Sequence, residues 1–472
     1  MICAFLSAAL SFVAPFSTSL NECEMVWRSS LFDHPFKGTK MKDIPRTADN
    51  DYLMSKGYSL YIFSLLFLLY MFDYIDRMVV VSLFPYLKAD WGLSDTQCGL
   101  MVSVVYWSIV LLSLPASVIV DRWSRKKSIG IMALIWSIAT AACAFTRNFG
   151  QLFAVRTVVG VGEAGYAPGG TAMISALFPE RMRSMMVGLW TAALPLGSAI
   201  GIMAGGYIAA RYGWRHAFGI VAIPGLLISI LFFFVKDYKT VSLEKKVDGE
   251  KKSAELMKWS GHVRQFMHTP SLVLTYLAFS GCMFLTAGYI SWLPTYFNRV
   301  AQLPMDQASF KGSLVMLLAI LGFPLGGLIV DKWRVKRINA RLLFPAISAG
   351  VTALIFFSAF YFFNGNSQYY LLLLGGVTAS AFSPAAIAVT QDVVHPGLRA
   401  TSYSFCVIVQ NLLGSSLGPL FIGIVSDRYD ITTALMIVPL FSILASVLFF
   451  IASFYYEGDI AKVERIEMSV EQ

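Results

Sequence analysis

Long apolar runs, each of about 20 residues or more and each closed by a short polar stretch, dominate this chain. They lie at residues 58–83, 99–120, 128–145, 151–178, 185–210 and 214–235, and again at 271–297, 309–330, 342–363, 369–389, 403–426 and 432–455. A run of that length crosses the hydrocarbon core of a bilayer as a helix, because only a helix or a closed barrel satisfies its own backbone there. The pattern therefore predicts an all-α membrane protein of twelve transmembrane helices in two sets of six.

The polar interval between the sets is rich in Lys and Glu, including Glu244, Lys245, Lys246, Glu250, Lys251 and Lys252. It reads as a solvated linker, with an amphipathic helix expected around residues 254–267. The expected layout is an N-terminal extension over 1–57, a six-helix bundle over 58–236, the linker over 237–270, a second bundle over 271–456 and a tail over 457–472. Residues 1–20 form a short apolar run without the Lys or Arg that opens a secretory signal.

The two sets repeat one another. Leu196, Gly197, Ser198, Gly201, Gly206, Arg211 and Tyr212 match Leu413, Gly414, Ser415, Gly418, Gly423, Arg428 and Tyr429 at one constant offset, and Pro168 and Arg183 match Pro384 and Arg399. Two pseudo-symmetric bundles with a central site between them are the architecture this implies. Gly197, Gly201 and Gly205, with Gly414 and Gly418, stand at four-residue spacing, which lets helix backbones approach closely.

Composition agrees: hydrophobic residues make up 57% and charged residues 14%, and the mean hydropathy is +0.64. The net charge of +9 does not indicate nucleic-acid binding, because the cations cluster at alternate loops: Arg122, Arg125, Lys126 and Lys127; Arg181 and Arg183; Lys332, Arg334, Lys336, Arg337 and Arg341. The positive-inside rule then places both termini and the linker in the cytoplasm, in a plasma or inner membrane. Six cysteines are scattered without C-x-x-C spacing, which argues against a disulfide framework or a zinc site. His216, His262, His268 and His395 fall at loops or helix ends. No metal or cofactor is expected, and the chain is expected to be a monomer whose partners are a small-molecule substrate, protons and lipid.

Several charges stand inside apolar runs: Asp73, Asp76 and Arg77 in the first, Arg156 and Glu163 in the fourth. A charge at the bilayer centre costs roughly 2.5 to 3.5 kcal/mol even on the lenient scale, so such residues usually face a cavity and handle ions or substrate. Asp73, Asp76 and Arg77 have i, i+3 and i+4 spacing and are expected on one helix face. Glu163 paired with an Arg would be ionised and inert, whereas in an apolar cavity it could carry a proton. Gly160, Gly162 and Gly165 formally complete G-x-G-x-x-G, but inside an apolar run they read as helix thinning beside Glu163 rather than as a nucleotide site.

Residues 121–126, Asp-Arg-Trp-Ser-Arg-Lys, and their echo at 327–332, Gly-Leu-Ile-Val-Asp-Lys, resemble the cytoplasmic loop signature of the major facilitator superfamily, with Ser117 where the first copy usually has Gly. The resemblance implies a conformational gate formed by Asp121, Arg122, Arg125, Asp331 and Lys332. Residues 73–77, 156–164 and 292–297 resemble two branches of that superfamily: the organic-anion symporters and the Spinster-like lysolipid and sphingolipid carriers. This implies proton coupling through Asp73, Asp76 and Glu163, and anion binding by Arg77 and Arg156. Asp73 stands where both branches usually have Asn. Tyr166, Tyr289, Trp292, Gln410 and Asn411 are candidates to complete the substrate site.

Together these features predict a secondary active transporter working by alternating access, coupling protons to uptake of a small organic anion such as a carboxylate or sugar acid. An exporter of lysolipid, sphingolipid or amphipathic drug is the alternative. A sensor on a carrier fold would need an output domain, and no G-x-S-x-G, H-E-x-x-H or Walker A pattern points to an enzyme.

Overall fold

The computed structural model describes residues 52, 54–236, 266–395 and 398–462. The expected N-terminal extension and amphipathic linker helix fall almost wholly outside these residues, as does the expected tail beyond Lys462, its first residues to Ala461 continuing the last helix. Among the described residues every regular element is a helix. The first six spans are α1 (Lys56–Trp91), α2 (Asp95–Arg122), α3 (Arg125–Cys143), α4, α5 (Met185–Tyr212) and α6 (Trp214–Phe232). The second six are α7 (Pro270–Arg299), α8 (Met305–Arg334), α9 (Ala340–Tyr361), α10 (Gly365–Asp392), α11 (Thr401–Arg428) and α12 (Ile431–Ala461).

Eleven of these are long and apolar enough to cross a bilayer. The exception is α4, which comes in two pieces, Phe149–Glu163 and Tyr166–Leu177, each shorter than the roughly 20 residues a crossing needs. The backbone stays right-handed through Ala164 and Gly165, so the break is shallow and falls beside Glu163. Local chemistry sets the other boundaries. α1 ends at Gly92, whose φ of 63° terminates the helix, and α2 opens on a capping box in which Ser94 and Gln97 each accept the other's backbone N–H. The Asn148 and Asp430 side chains cap α4 and α12 by accepting the backbone N–H of Gln151 and Thr433.

Small residues bring helices together inside each half. α5 lies on α1, where a Cβ at Gly201 would stand 2.7 Å from the Ile75 carbonyl oxygen, and α11 lies on α7, where a Cβ at Gly414 would stand 2.5 Å from that of Ser280. α5 and α11 are also interrupted at matching positions. The α5 helix restarts at Ala193 after a turn, while α11 passes through a π segment, Gln410–Ser415.

Among the described residues the main contacts between the halves lie at one end. This far face carries the turns around residues 92–94, 213 and 300–304. There α5 meets α8 where Gly206 faces Ser309, and α11 meets α2 where Gly423 faces the Asp95 backbone and Gly99 faces Pro419, at 2.6 Å from a Cβ to its carbonyl oxygen. Toward the opposite, near face, the stretches Ala319–Arg334 of α8 and Arg399–Val409 of α11 pack within their own half, and Trp123, Asp331 and Lys332 are exposed. Among the described residues the two halves are joined at the far face and apart at the near one.

Candidate functional site

Among the described residues the buried charges inside the helices are Asp73, Asp76, Arg77, Asp95, Arg156, Glu163 and Asp459. Five of them gather where the middle of α1 passes the break in α4. They do not form one network.

Arg156 is fully buried, and all three of its nitrogens donate to main-chain oxygens: Nε to Met101 at 3.3 Å, Nη1 to Asp76 at 3.0 Å and Nη2 to Arg77 at 2.9 Å. The reason lies in α1, which tightens to a 3₁₀ turn over Val79–Leu83 and so disturbs the regular i to i+4 pairing just before it. A guanidinium with five donors in a rigid fork suits such carbonyls. Arg156 therefore holds α1 to α2 and α4, and Glu163 is not its partner.

Arg77 takes that partner instead. Its Nη2 stands 2.7 Å from Glu163 Oε2 and 3.2 Å from Asp73 Oδ2, and its guanidinium lies 4.5 Å from the Tyr74 ring centre and 5.4 Å from that of Tyr106, a cation–π arrangement. Gly160 and Gly162 make this possible by letting α4 sit against α2 and α3; a Cβ at either would come within 2.7 Å of a backbone atom or Ser108.

Asp76 turns away. Successive helical residues are rotated by roughly 100°, so Asp73 and Arg77 share a face while Asp76 points toward α3 and α6. It lies beside Thr140, and neither its oxygens nor the hydroxyls of Ser137 and Thr140 make a hydrogen bond of good geometry. A Cβ at Gly225 would stand 3.7 Å from Asp76 Oδ2 and 2.8 Å from Ser137 Oγ, which places these groups around one buried spot. The expectation of a single Asp73–Asp76–Arg77 face thus holds for the first and last only.

The other candidates are distributed. Tyr166 donates to the Leu66 carbonyl at 2.6 Å and packs edge-on to Trp136 within the first half. Tyr289 donates to Leu435 at 2.7 Å and stacks 4.2 Å from Phe356 within the second. Trp292 joins the halves, lying 5.2 Å from the Phe84 ring and donating to the Pro419 carbonyl at 2.9 Å. Gln410 and Asn411 open the π segment of α11, both half-buried, with Gln410 Oε1 lacking a partner. Of the gate residues, Asp331 and Lys332 are exposed at the near face and Arg125 is half-buried at the start of α3. The side chains of Asp121 and Arg122 lie outside the described residues.

The sequence reading missed a polar hub at the far face. Asp95, 2% exposed, accepts from both terminal nitrogens of Arg299 at 2.8 Å, from Lys88 at 2.5 Å and from Ser426 at 2.6 Å. Asp427 accepts the backbone N–H groups of Asp95 and Thr96 at 2.7 Å each, so α11 caps the N-terminus of α2. The Ser94–Gln97 capping box was legible as a helix start, but nothing local ties Asp95 to partners more than 200 positions away.

The Major Facilitator Superfamily profile matches residues 66–419. The chain belongs to that superfamily. It is 28% identical over 396 residues to protein spinster homolog 1 of Homo sapiens, covering 79% of this chain and 74% of that protein. It is 26% identical over 374 residues to the hexuronate transporter of Bacillus subtilis (strain 168), covering 77% and 87%. Among solved structures it is similar to a bacterial homolog of the human lysosomal transporter Spinster in an inward-facing, unoccupied conformation, with TM-score 0.76, 21% identity and 86% of this chain covered against 99% of that one. A D-xylose-proton symporter matches at TM-score 0.66 and 16% identity, covering 83% and 97%. Family and fold are those of a membrane transporter rather than an enzyme.

Proposed function

We propose that this superfamily member is a proton-coupled symporter of a small organic anion, captured open toward the cytoplasm. The observation that carries the proposal is the buried contact of Arg77 with Glu163 at 2.7 Å, at the break in α4 and at the middle of the membrane-spanning part. When Glu163 takes a proton, Arg77 loses the nearer of its two counter-charges, with Asp73 still at 3.2 Å, and gains a reason to bind an anion; when the anion leaves, the pair re-forms. Asp76, buried without a hydrogen bond of good geometry, is the second proton-handling group. The near face, where Arg125, Lys126, Lys127, Lys332 and Arg334 gather, is the cytoplasmic one by the positive-inside rule. On this reading the Asp95 hub closes the outer side, and rocking of the halves opens it. The hexuronate transporter among the relatives supports an acidic substrate.

The driving force follows. One pH unit is worth about 1.4 kcal/mol per proton, roughly a tenfold accumulation ratio, and a monoanion entering with one proton is electroneutral. In proteoliposomes loaded with a candidate carboxylate, Glu163→Gln is expected to lose accumulation driven by a pH gradient while keeping substrate exchange. Uphill uptake that survives in this variant would take Glu163 out of the coupling role.

A second reading, a carrier of an amphipathic lipid, is favoured by one observation: the second half meets the centre with aromatic faces rather than charges. Thermal stabilisation of the purified protein by small carboxylates and sugar acids, against lysolipids, at pH 5.5 and 7.5, separates the two. A shift with a carboxylate that grows at acid pH supports the symporter; a shift with lysolipid alone replaces it.

A further inference from the structure

We propose that Asp73 and Glu163 form a one-proton carboxyl pair on the single guanidinium of Arg77, so that the resting site already holds a buried proton before any is taken up with substrate. The inference deepens the preceding reading, since it concerns the same Arg77, and it rests on that reading only for its consequence for transport.

The geometry is specific. One nitrogen, Nη2 of Arg77, meets both carboxyls, Asp73 Oδ2 at 3.2 Å and Glu163 Oε2 at 2.7 Å. All three side chains are nearly inaccessible, at 7%, 2% and 0% exposure. Asp73 Oδ1 and both Glu163 oxygens have no hydrogen-bond partner, the Arg77–Glu163 contact being an ion pair rather than an aligned hydrogen bond. Two ionised carboxylates facing one cation would leave a net negative charge buried at the middle of the protein, which is costly without compensation. Arg156 donates to three carbonyls and keeps its charge, which bears on both Glu163 and Asp76; with Asp76 counted, three buried carboxyls share two guanidiniums. The remaining titratable neighbours are phenols: Tyr70 and Tyr74 on α1, Tyr106 on α2 and Tyr166 on α4. These are neutral and supply no charge.

One proton resolves the imbalance. An O–H of one carboxyl donating to the other leaves a single negative charge against Arg77⁺ and gives an orphaned oxygen its partner. Binding a monoanion at Arg77 then needs one more proton, which neutralises the second carboxyl. The first proton stays with the protein through the cycle, and only the second travels with the substrate.

Infrared difference spectroscopy of the purified full-length protein reads this without any substrate, through the carbonyl stretch of protonated carboxyls at a pH where exposed carboxylates are ionised. Asp73→Asn and Glu163→Gln are each expected to remove the same component, and the double variant no more than either alone, because a single proton is shared. Asp76→Asn leaves that component in place and removes at most a separate one. No loss in either single variant, or an additive loss in the double, would overturn the pair. If one single variant does not fold, the other reports the same loss. A failed substrate screen with this signature intact would count against the transport reading alone, and the reverse result against the pair alone.

Discussion

The two halves are built on one repeat, yet they place charge differently. In the first, Asp73, Asp76, Arg77, Arg156 and Glu163 are buried around the middle of α1 and the break in α4. In the second, the one buried charge among the described residues is Asp459 near the end of α12, where it accepts from the backbone and hydroxyl of Ser271 at the start of α7. The middle of the second half is aromatic: Tyr289 stacks on Phe356 at 4.2 Å and on Phe360 at 5.7 Å. Gene-like repetition has preserved the packing glycines, which serve α5 on α1 and α11 on α7 alike, while the ion chemistry resides in one half. On the proposed function the difference teaches a division of labour: one half would supply charge and protons, the other shape and apolar surface.

The largest effect that would break this comparison is expected at Arg156. Arg156→Ala removes the charged hydrogen bonds to three buried carbonyl oxygens, of Met101, Asp76 and Arg77, each worth about 1.5 to 3 kcal/mol. A loss of several kcal/mol, or failure to fold, is expected by thermal unfolding in detergent. Arg156→Lys rescues little of it, because a point charge cannot span a fork of three acceptors. A stable Arg156→Ala protein that merely binds substrate less tightly would show that Arg156 acts as an anion clamp, and the first half would then hold two substrate cations.

The fold was legible because each feature that specifies it is local. Apolar length gives the spans, the repeated Gly197–Gly201 and Gly414–Gly418 spacing gives the packing faces, and Asp76, Arg77, Arg156 and Glu163 announce themselves by being charged where charge is expensive. What was not legible is which charge meets which. Seven-residue spacing puts Arg156 and Glu163 on one side of α4, but the 3₁₀ turn of α1 offers carbonyls that claim Arg156, and this leaves Glu163 to Arg77. The far-face hub escaped for the same reason, since Asp95, Arg299 and Asp427 meet only once the halves close.

That closure offers a middle-sized test of how symmetric the halves are. Gly206 and Gly423 are repeat mates at equivalent interfaces, but Gly206 faces the Ser309 side chain whereas Gly423 faces the Asp95 main chain. Rotation frees the Ser309 hydroxyl but leaves Ser309 Cβ at 2.6 Å and the Met305 carbonyl oxygen at 3.0 Å, whereas at Gly423 all the near atoms are backbone, the Asp95 carbonyl oxygen first. Gly423→Ala is therefore expected to disfavour far-face closure by about 1 to 3 kcal/mol, and Gly206→Ala by less. Asp95→Asn, which weakens the bonds to the partly exposed Arg299 and Lys88, is expected to cost roughly 1 kcal/mol. Spin-label distances between the far ends of α2 and α11 report all three, and equal effects at the two glycines would mean that the interfaces yield equally.

The smallest expected effect sharpens the comparison most finely. If the second half contributes shape rather than polar contacts, the Tyr289 hydroxyl is structural: it donates to Leu435 at 2.7 Å, and the ring does its work by stacking. Tyr289→Phe keeps the stack and removes one buried hydrogen bond, so a loss of about 1 kcal/mol in stability is expected, with substrate affinity unchanged. Tyr166→Phe is the matched control in the first half, since its hydroxyl is likewise committed to a carbonyl, that of Leu66. A fall in affinity for Tyr289→Phe but not for Tyr166→Phe would mean that the hydroxyl leaves Leu435 to meet the substrate as the halves rock, and the second half would then take part in polar recognition after all.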